Sequence, residues 1–147
     1  MRKILLLFAL IIVIGSHANA GDYALGGRIS NQFGITFKYK YYGNTWLEGI
    51  ADIGSHDLAL TGLFEQYYET PFSRNLNWFV GGGPYLGYWG NGNSSSAWLG
   101  VKGVLGVCYN FTDIPVDLSL DWMPEFQLVS KFTPSFNVFG LSIRYTF

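Results

Sequence analysis

Charge is scarce in this chain. Only 13% of its 147 residues are Asp, Glu, Lys or Arg, about half of what a water-soluble domain of this size carries. Cysteine is nearly absent: Cys108 stands alone, so no intrachain disulfide can form, and it reads as a small filler on a strand. Histidine is equally rare. Past residue 20 there is only His56, which leaves no His/Cys spacing for a metal site and no partner for a catalytic thiol. Long apolar runs are missing as well. The longest uncharged stretch beyond the first 20 residues, Asn75 to Val101, is interrupted by Gly81-Gly82-Gly83-Pro84 and by Asn91 to Ser96. No segment there could cross a bilayer as a helix, which needs about 20 consecutive apolar residues. There is no nucleotide loop either, because Gly81-Gly82-Gly83 lacks the strand-to-helix setting that a phosphate loop requires. No cofactor is expected.

What the chain has instead is apolar content without apolar runs: 49% hydrophobic and 18% aromatic residues. Its front end supplies the compartment. Arg2 and Lys3, the run Ile4 to Ile14, and the small-x-small triplet Ala18-Asn19-Ala20 make residues 1–20 a secretory signal peptide. The mature chain, 21–147, then carries seven basic against ten acidic residues. That balance argues against a nucleic-acid partner.

The far end supplies the architecture. Leu141, Ile143, Tyr145 and Phe147 alternate with Ser142, Arg144 and Thr146, the period of a strand with one greasy and one wet face. The same pattern marks eight strands, at 23–31, 32–41, 45–53, 57–69, 76–89, 97–111, 115–128 and 135–147. Ten residues tilted about 40° rise roughly 25 Å, the height of a lipid-facing band. The expected fold is an all-β, eight-stranded antiparallel up-and-down transmembrane β-barrel, with both termini at one rim.

Parity sorts the faces. Phe33, Ile35, Phe37 and Tyr39 oppose Gly34, Thr36, Lys38 and Lys40; Val116, Leu118, Leu120 and Trp122 oppose Asp117, Ser119, Asp121 and Glu125. Carried around the barrel, this register places a charge network in the lumen. Its members are Arg28, Lys38, Lys40, Lys102 and Arg144 with Glu48, Asp52, Asp57, Glu65, Asp117, Asp121 and Glu125. Facing hydrocarbon, an Arg or Lys would cost about 2–4 kcal/mol at mid-depth. A soluble eight-stranded barrel of the lipocalin type would invert the faces, but its exterior needs far more charge. Strand three is less clean, since Trp46 and Ile50 share parity with Glu48 and Asp52, and strand five has glycines on both faces. Aromatic residues gather at the strand ends: Tyr39, Tyr41, Tyr68, Trp78, Tyr109, Phe111, Tyr145 and Phe147 at one interface, and Phe33, Tyr88, Trp89, Trp98 and Phe136 at the other.

On these patterns the mature chain resembles the small eight-stranded bacterial outer-membrane barrels of the OmpA-domain and OmpX kind. The segments Asn77 to Gly83 and Ile114 to Trp122 also look like small barrels of Bacteroidetes-type bacteria that carry no assigned activity. The resemblance implies residence in the bacterial outer membrane, contact with its lipids and lipopolysaccharide, and a monomer. It also implies insertion by the barrel assembly machinery, with Tyr145 and Phe147 as the assembly signal. The expected outer loops are short, which argues against a large surface-binding role.

Chemistry has little to work with. Ser55-His56-Asp57 holds three triad residue types, but neighbours on an extended chain point to opposite sides. Some small barrels modify lipid A and carry His-x-Ser along a strand; here Leu58 stands two after His56. The same-face pairs Asp117/Asp121 and Glu48/Asp52 read as members of an ion-pair network rather than as acid–base dyads. No catalytic residue is assigned. Three functions remain open: a non-catalytic envelope or surface barrel with a side-chain-filled polar lumen, a narrow passive pore, and a lipid A-modifying enzyme.

Overall fold

The computed structural model describes residues 21–129 and 132–147; the expected signal peptide, 1–20, lies outside them. Alternating apolar and polar residues have no helical face to offer, and every regular element described is a strand. Ten segments form among the described residues: β1 (Tyr23–Ile29), β2 (Phe33–Tyr42), β3 (Thr45–Ile53), β4 (Asp57–Glu69), β5 (Leu76–Asn91), β6 (Ser94–Asn110), β7 (Val116–Trp122), β8 (Glu125–Gln127), β9 (Thr133–Ser135) and β10 (Phe139–Thr146). The sheet order β5-β4-β3-β2-β1-β10-β7-β6 closes through β5–β6, and every pairing is antiparallel.

The ten segments make eight staves. β8 continues β7 across Met123-Pro124: Leu105 pairs with Trp122 and Lys102 with Glu125, so the frame along β6 is kept. Proline has no N–H for the ladder, which opens the pairing there, while the Pro124 carbonyl still accepts Gly103 N–H at 2.9 Å. On the other side Trp122 pairs with Phe139 but Glu125 with Ser135. One extra residue therefore sits between β9 and β10, a bulge that switches which parity faces inward. Ser135 lines the lumen on one side of it and Gly140 on the other.

The wall is tallest at β4, β5 and β6, of 13, 16 and 17 residues. Here the structure corrects the expected loop Gly90 to Ser96. The β5–β6 ladder runs on through Gly90↔Ser95 and Asn91↔Ser94, and Gly92 at φ 48° turns the chain. Serines and glycines that read as a loop are paired because each faces a partner across the hairpin.

The exterior is apolar. Ile29, Ile35, Phe64, Leu86, Leu99, Leu120, Leu141 and Ile143 are all exposed. The exposed charges among the described residues, Asp22, Lys40, Glu69, Arg74 and Asp113, stand at the rim that holds the termini. Such a surface is inside-out relative to a soluble barrel and suits hydrocarbon. Trp98 is a second correction. It shares parity with buried Lys102 and packs its indole over Gly87 inside the lumen, so it is not part of an interface belt.

Candidate functional site: the lumen

The interior is half ionic and half apolar. On β1, β2, β3, β7 and β10 the inward positions carry charge and hydroxyls. Across from them Leu63, Phe79, Val104 and Cys108 cluster with Ile50, Met123 and Val138, and Tyr67 packs against that cluster. A uniformly polar lumen is therefore not what forms. Ile50 points inward with Glu48 and Asp52, because period two gives the three residues one face whatever their polarity.

Arg28, on β1, reaches past β10 to Asp121 on β7 and grips it with both Nη atoms, at 2.5 and 2.7 Å. Nη1 also lies 3.4 Å from Ser142 Oγ, and Nη2 3.4 Å from Met123 Sδ. Gly140 permits the reach: a Cβ there would lie 2.1 Å from Arg28 Nη2. Arg144, on β10, works in both directions. It donates to Asp117 at 3.0 Å and Ser119 at 2.8 Å on β7, and to Thr36 at 3.2 Å on β2 and Glu48 at 2.6 Å on β3. Lys38 donates to Glu65 at 2.8 Å and to the Tyr67 hydroxyl, and stands 3.6 Å from Glu48. Its ammonium also faces the Tyr67 and Phe79 rings, at 4.9 and 4.8 Å from their centroids.

Nearer the rim opposite the termini, Lys102 pairs with Glu125 at 2.7 Å, stands 4.0 Å from Asp52 and covers the Tyr85 ring at 4.8 Å. The remaining two residues of the expected network stand apart from these pairs. Lys40 is exposed at the termini rim, 5.9 Å from the Trp46 ring centroid. Asp57, half-buried, accepts from the Gln32 amide. Among the described residues the lumen thus sets four cations, Arg28, Lys38, Lys102 and Arg144, against six acidic side chains, Glu48, Asp52, Glu65, Asp117, Asp121 and Glu125. Four buried side-chain oxygens among the described residues, Glu48 Oε2, Asp52 Oδ1, Thr61 Oγ1 and Glu65 Oε1, have no hydrogen-bond partner, although Glu48 Oε2 lies 3.6 Å from Lys38 Nζ.

These groups fill the barrel. Arg28, Arg144, Phe79, Met123 and Glu65 are each less than 2% exposed. A cavity of about 330 Å³ opens at the termini rim and one of about 180 Å³ at the opposite rim, and the buried layer stands between them. His56 is exposed in the turn after β3, with its carbonyl accepting from Gly90 N–H at 3.0 Å. Asp57 beside it is engaged with Gln32. Tyr85, Met123 and Gly140 also line this interior, and Trp98 belongs to it rather than to the interface belt expected for it. Strand parity alone would have placed Trp98 with Lys102; nothing local marks Gly140 as the space an arginine crosses.

No protein-family model matches the chain, and no curated protein matches it significantly. Its fold is similar to the N-terminal β-barrel domain of Pseudomonas aeruginosa OprF, with a TM-score of 0.67 and 16% identity over 88% of this chain and 100% of that one. It is similar also to Neisserial surface protein A (NspA), with a TM-score of 0.52 and 17% identity over 87% of this chain and 95% of that one. The chain has the closed eight-stranded antiparallel fold of the small outer-membrane barrels.

Proposed function

We propose that the protein is an integral outer-membrane barrel that serves the cell envelope without catalysis, its lumen plugged by its own side chains. The observation that carries this is the buried layer of Arg28, Arg144, Glu65, Phe79 and Met123 between two separate vestibules. An eight-stranded barrel is just wide enough to be filled this way. The apolar exterior supports contact with outer-membrane lipids and lipopolysaccharide as a monomer. Tyr145 and Phe147 end the closing strand where the barrel assembly machinery would read them. Ser55, His56 and Asp57 offer no converging nucleophile and base, which favours the non-catalytic reading.

Reconstitution in planar bilayers tests the plug. The expected result is no unit conductance across the physiological voltage range. Steady steps would replace this reading with the narrow passive pore, and a shift in lipid A mass on overexpression would replace it with an enzyme.

A further inference from the structure

Two tryptophans at the rim opposite the termini face away from lipid. Trp98 shares parity with Lys102 and lines the vestibule there. Trp89, on β5, shares parity with buried Tyr85 and Gly87, pairs with Asp57, and lines an adjoining recess of about 620 Å³. An anchoring tryptophan points at lipid headgroups; these two point at the mouth of the barrel. The other inward rings are covered. Phe79 sits in the apolar cluster with Tyr67 against it, and Tyr85 lies under the Lys102 ammonium at 4.8 Å. Among the described residues neither indole stacks on another ring or donates a hydrogen bond within the chain.

Trp98 is seated as a platform. Gly87 lies directly across the ladder, and a Cβ there would meet three indole atoms, Cε2, Cζ2 and Nε1. The ring therefore lies flat on the Gly87 backbone, with its other face turned to the cavity of about 180 Å³. The polar groups lining that cavity have capacity to spare. Asn31, exposed in the β1–β2 turn, and half-buried Ser135 make no side-chain hydrogen bond among the described residues. Gln32 commits only its Nε2, to Asp57. The charges are already matched: Lys102 with Glu125 at 2.7 Å, and Arg28 with Asp121 at 2.5 and 2.7 Å. A charged ligand gains nothing from paired groups. A ligand with an apolar C–H face and a rim of hydroxyls suits both the bare indole and the free amide and hydroxyl groups. A sugar ring has that form.

We propose that this mouth binds a neutral hexopyranose, stacked on Trp98 with its hydroxyls on Asn31, Gln32 and Ser135, and that Trp89 takes the next ring of a saccharide chain. The two recesses share Asn31, Gln32 and Asp57, so adjacent rings can occupy both. The site stands outside the buried layer and does not depend on whether the lumen conducts. Free saccharides and the sugars of neighbouring lipopolysaccharide offer the same ring.

The test is saturation-transfer NMR on the full barrel, folded in a detergent without a sugar headgroup, with methyl glucopyranoside, methyl galactopyranoside, maltose and lactose as probes. At least one monosaccharide should bind saturably, and Trp98→Leu and Asn31→Ala should each weaken it by about tenfold or more. The matching disaccharide should bind more tightly, and Trp89→Leu should remove that gain alone; a gain that survives removes the second ring. Heat-dependent gel mobility verifies that each variant has closed. If Trp98→Leu does not close, Asn31→Ala, in an exposed turn, decides. Vesicles with and without purified rough-type lipopolysaccharide separate the sources: competition identifies the sugars of the membrane itself, and unchanged affinity identifies a free saccharide. The proposal is overturned if no probe binds saturably, or if the folded Trp98 or Asn31 variant binds as tightly as the parent.

Discussion

Replacing Gly140 by alanine adds one methyl group, yet the structure assigns it a large cost. The new Cβ would lie 2.1 Å from Arg28 Nη2 and 2.2 Å from Cζ, well inside van der Waals contact. The guanidinium has to leave, and Arg28 is 1% exposed in a filled lumen. Asp121, at 3% exposure, then loses a partner that holds both its oxygens at 2.5 and 2.7 Å. Breaking a buried pair from one side costs about 3–5 kcal/mol, because the remaining charge is left uncompensated. Gly140→Ala should therefore destabilise by about 3 kcal/mol, read from urea titrations of refolding into lipid vesicles. The cost should also be shared: with Arg28→Met and Asp121→Leu already in place, adding Gly140→Ala should cost under about 1 kcal/mol, as coupled neighbours are not additive. A loss below about 1 kcal/mol in the parent background, or the same loss in both, would refute the placement of Arg28 over Gly140.

Other expectations are simpler. Leu120 is 54% exposed and pairs with outward Val107 and Leu141; Leu120→Arg should cost about 2–4 kcal/mol in the same titration, and a tolerated arginine would invert the assigned faces. Phe147 exchanges backbone hydrogen bonds with Tyr23 at 2.8 and 3.0 Å and stacks on its ring at 5.8 Å. Phe147→Ala keeps the backbone pair, so vesicle refolding should survive while the level in cellular outer membranes falls; normal levels would remove its role as a signal. The closed barrel should also migrate differently in SDS before and after boiling, and identical mobility would count against closure.

Much of the fold was legible because period two carries its own answer. The bounds of β2, β3 and β4 match the alternation within a residue, and Gly43 at φ 54° marks the tight turn after β2. The break at Met123-Pro124 was not legible as such. A proline in a strand signals an interruption, but only the pairing with β6 shows that the frame survives it. The bulge between β9 and β10 is invisible to alternation because it reverses parity. Parity also could not tell that the lumen divides. Ile50, Leu63 and Val104 look like misplaced lipid-facing residues until closure brings them together with Phe79. Which charges pair was hidden for the same reason: Arg28 and Asp121 lie 93 residues apart and meet only because the first and last staves are neighbours.

That meeting indicates what the ion pairs accomplish. A buried pair is a weak source of net stability, since desolvation offsets most of the attraction. Both arginines, however, reach across the seam where the chain closes on itself. Arg28 leaves β1, passes over β10 and ends on β7; Arg144 leaves β10, passes over β1 and ends on β2 and β3. The seam itself pairs Gly26 with Arg144 and Arg28 with Ser142. The greasy exterior tolerates a slip of two residues there, because parity is preserved and apolar side chains still face lipid. The arginines do not tolerate it. Two residues of slip displace Arg28 from Asp121, and Arg144 from Thr36 and Glu48, by roughly 7 Å, leaving charges buried without partners at about 3–5 kcal/mol for each broken pair. The network adds little to the depth of the native state and a great deal to the gap above the nearest misregistered barrel. For a barrel whose hydrophobic pattern repeats every second residue, that gap is what the pattern cannot supply.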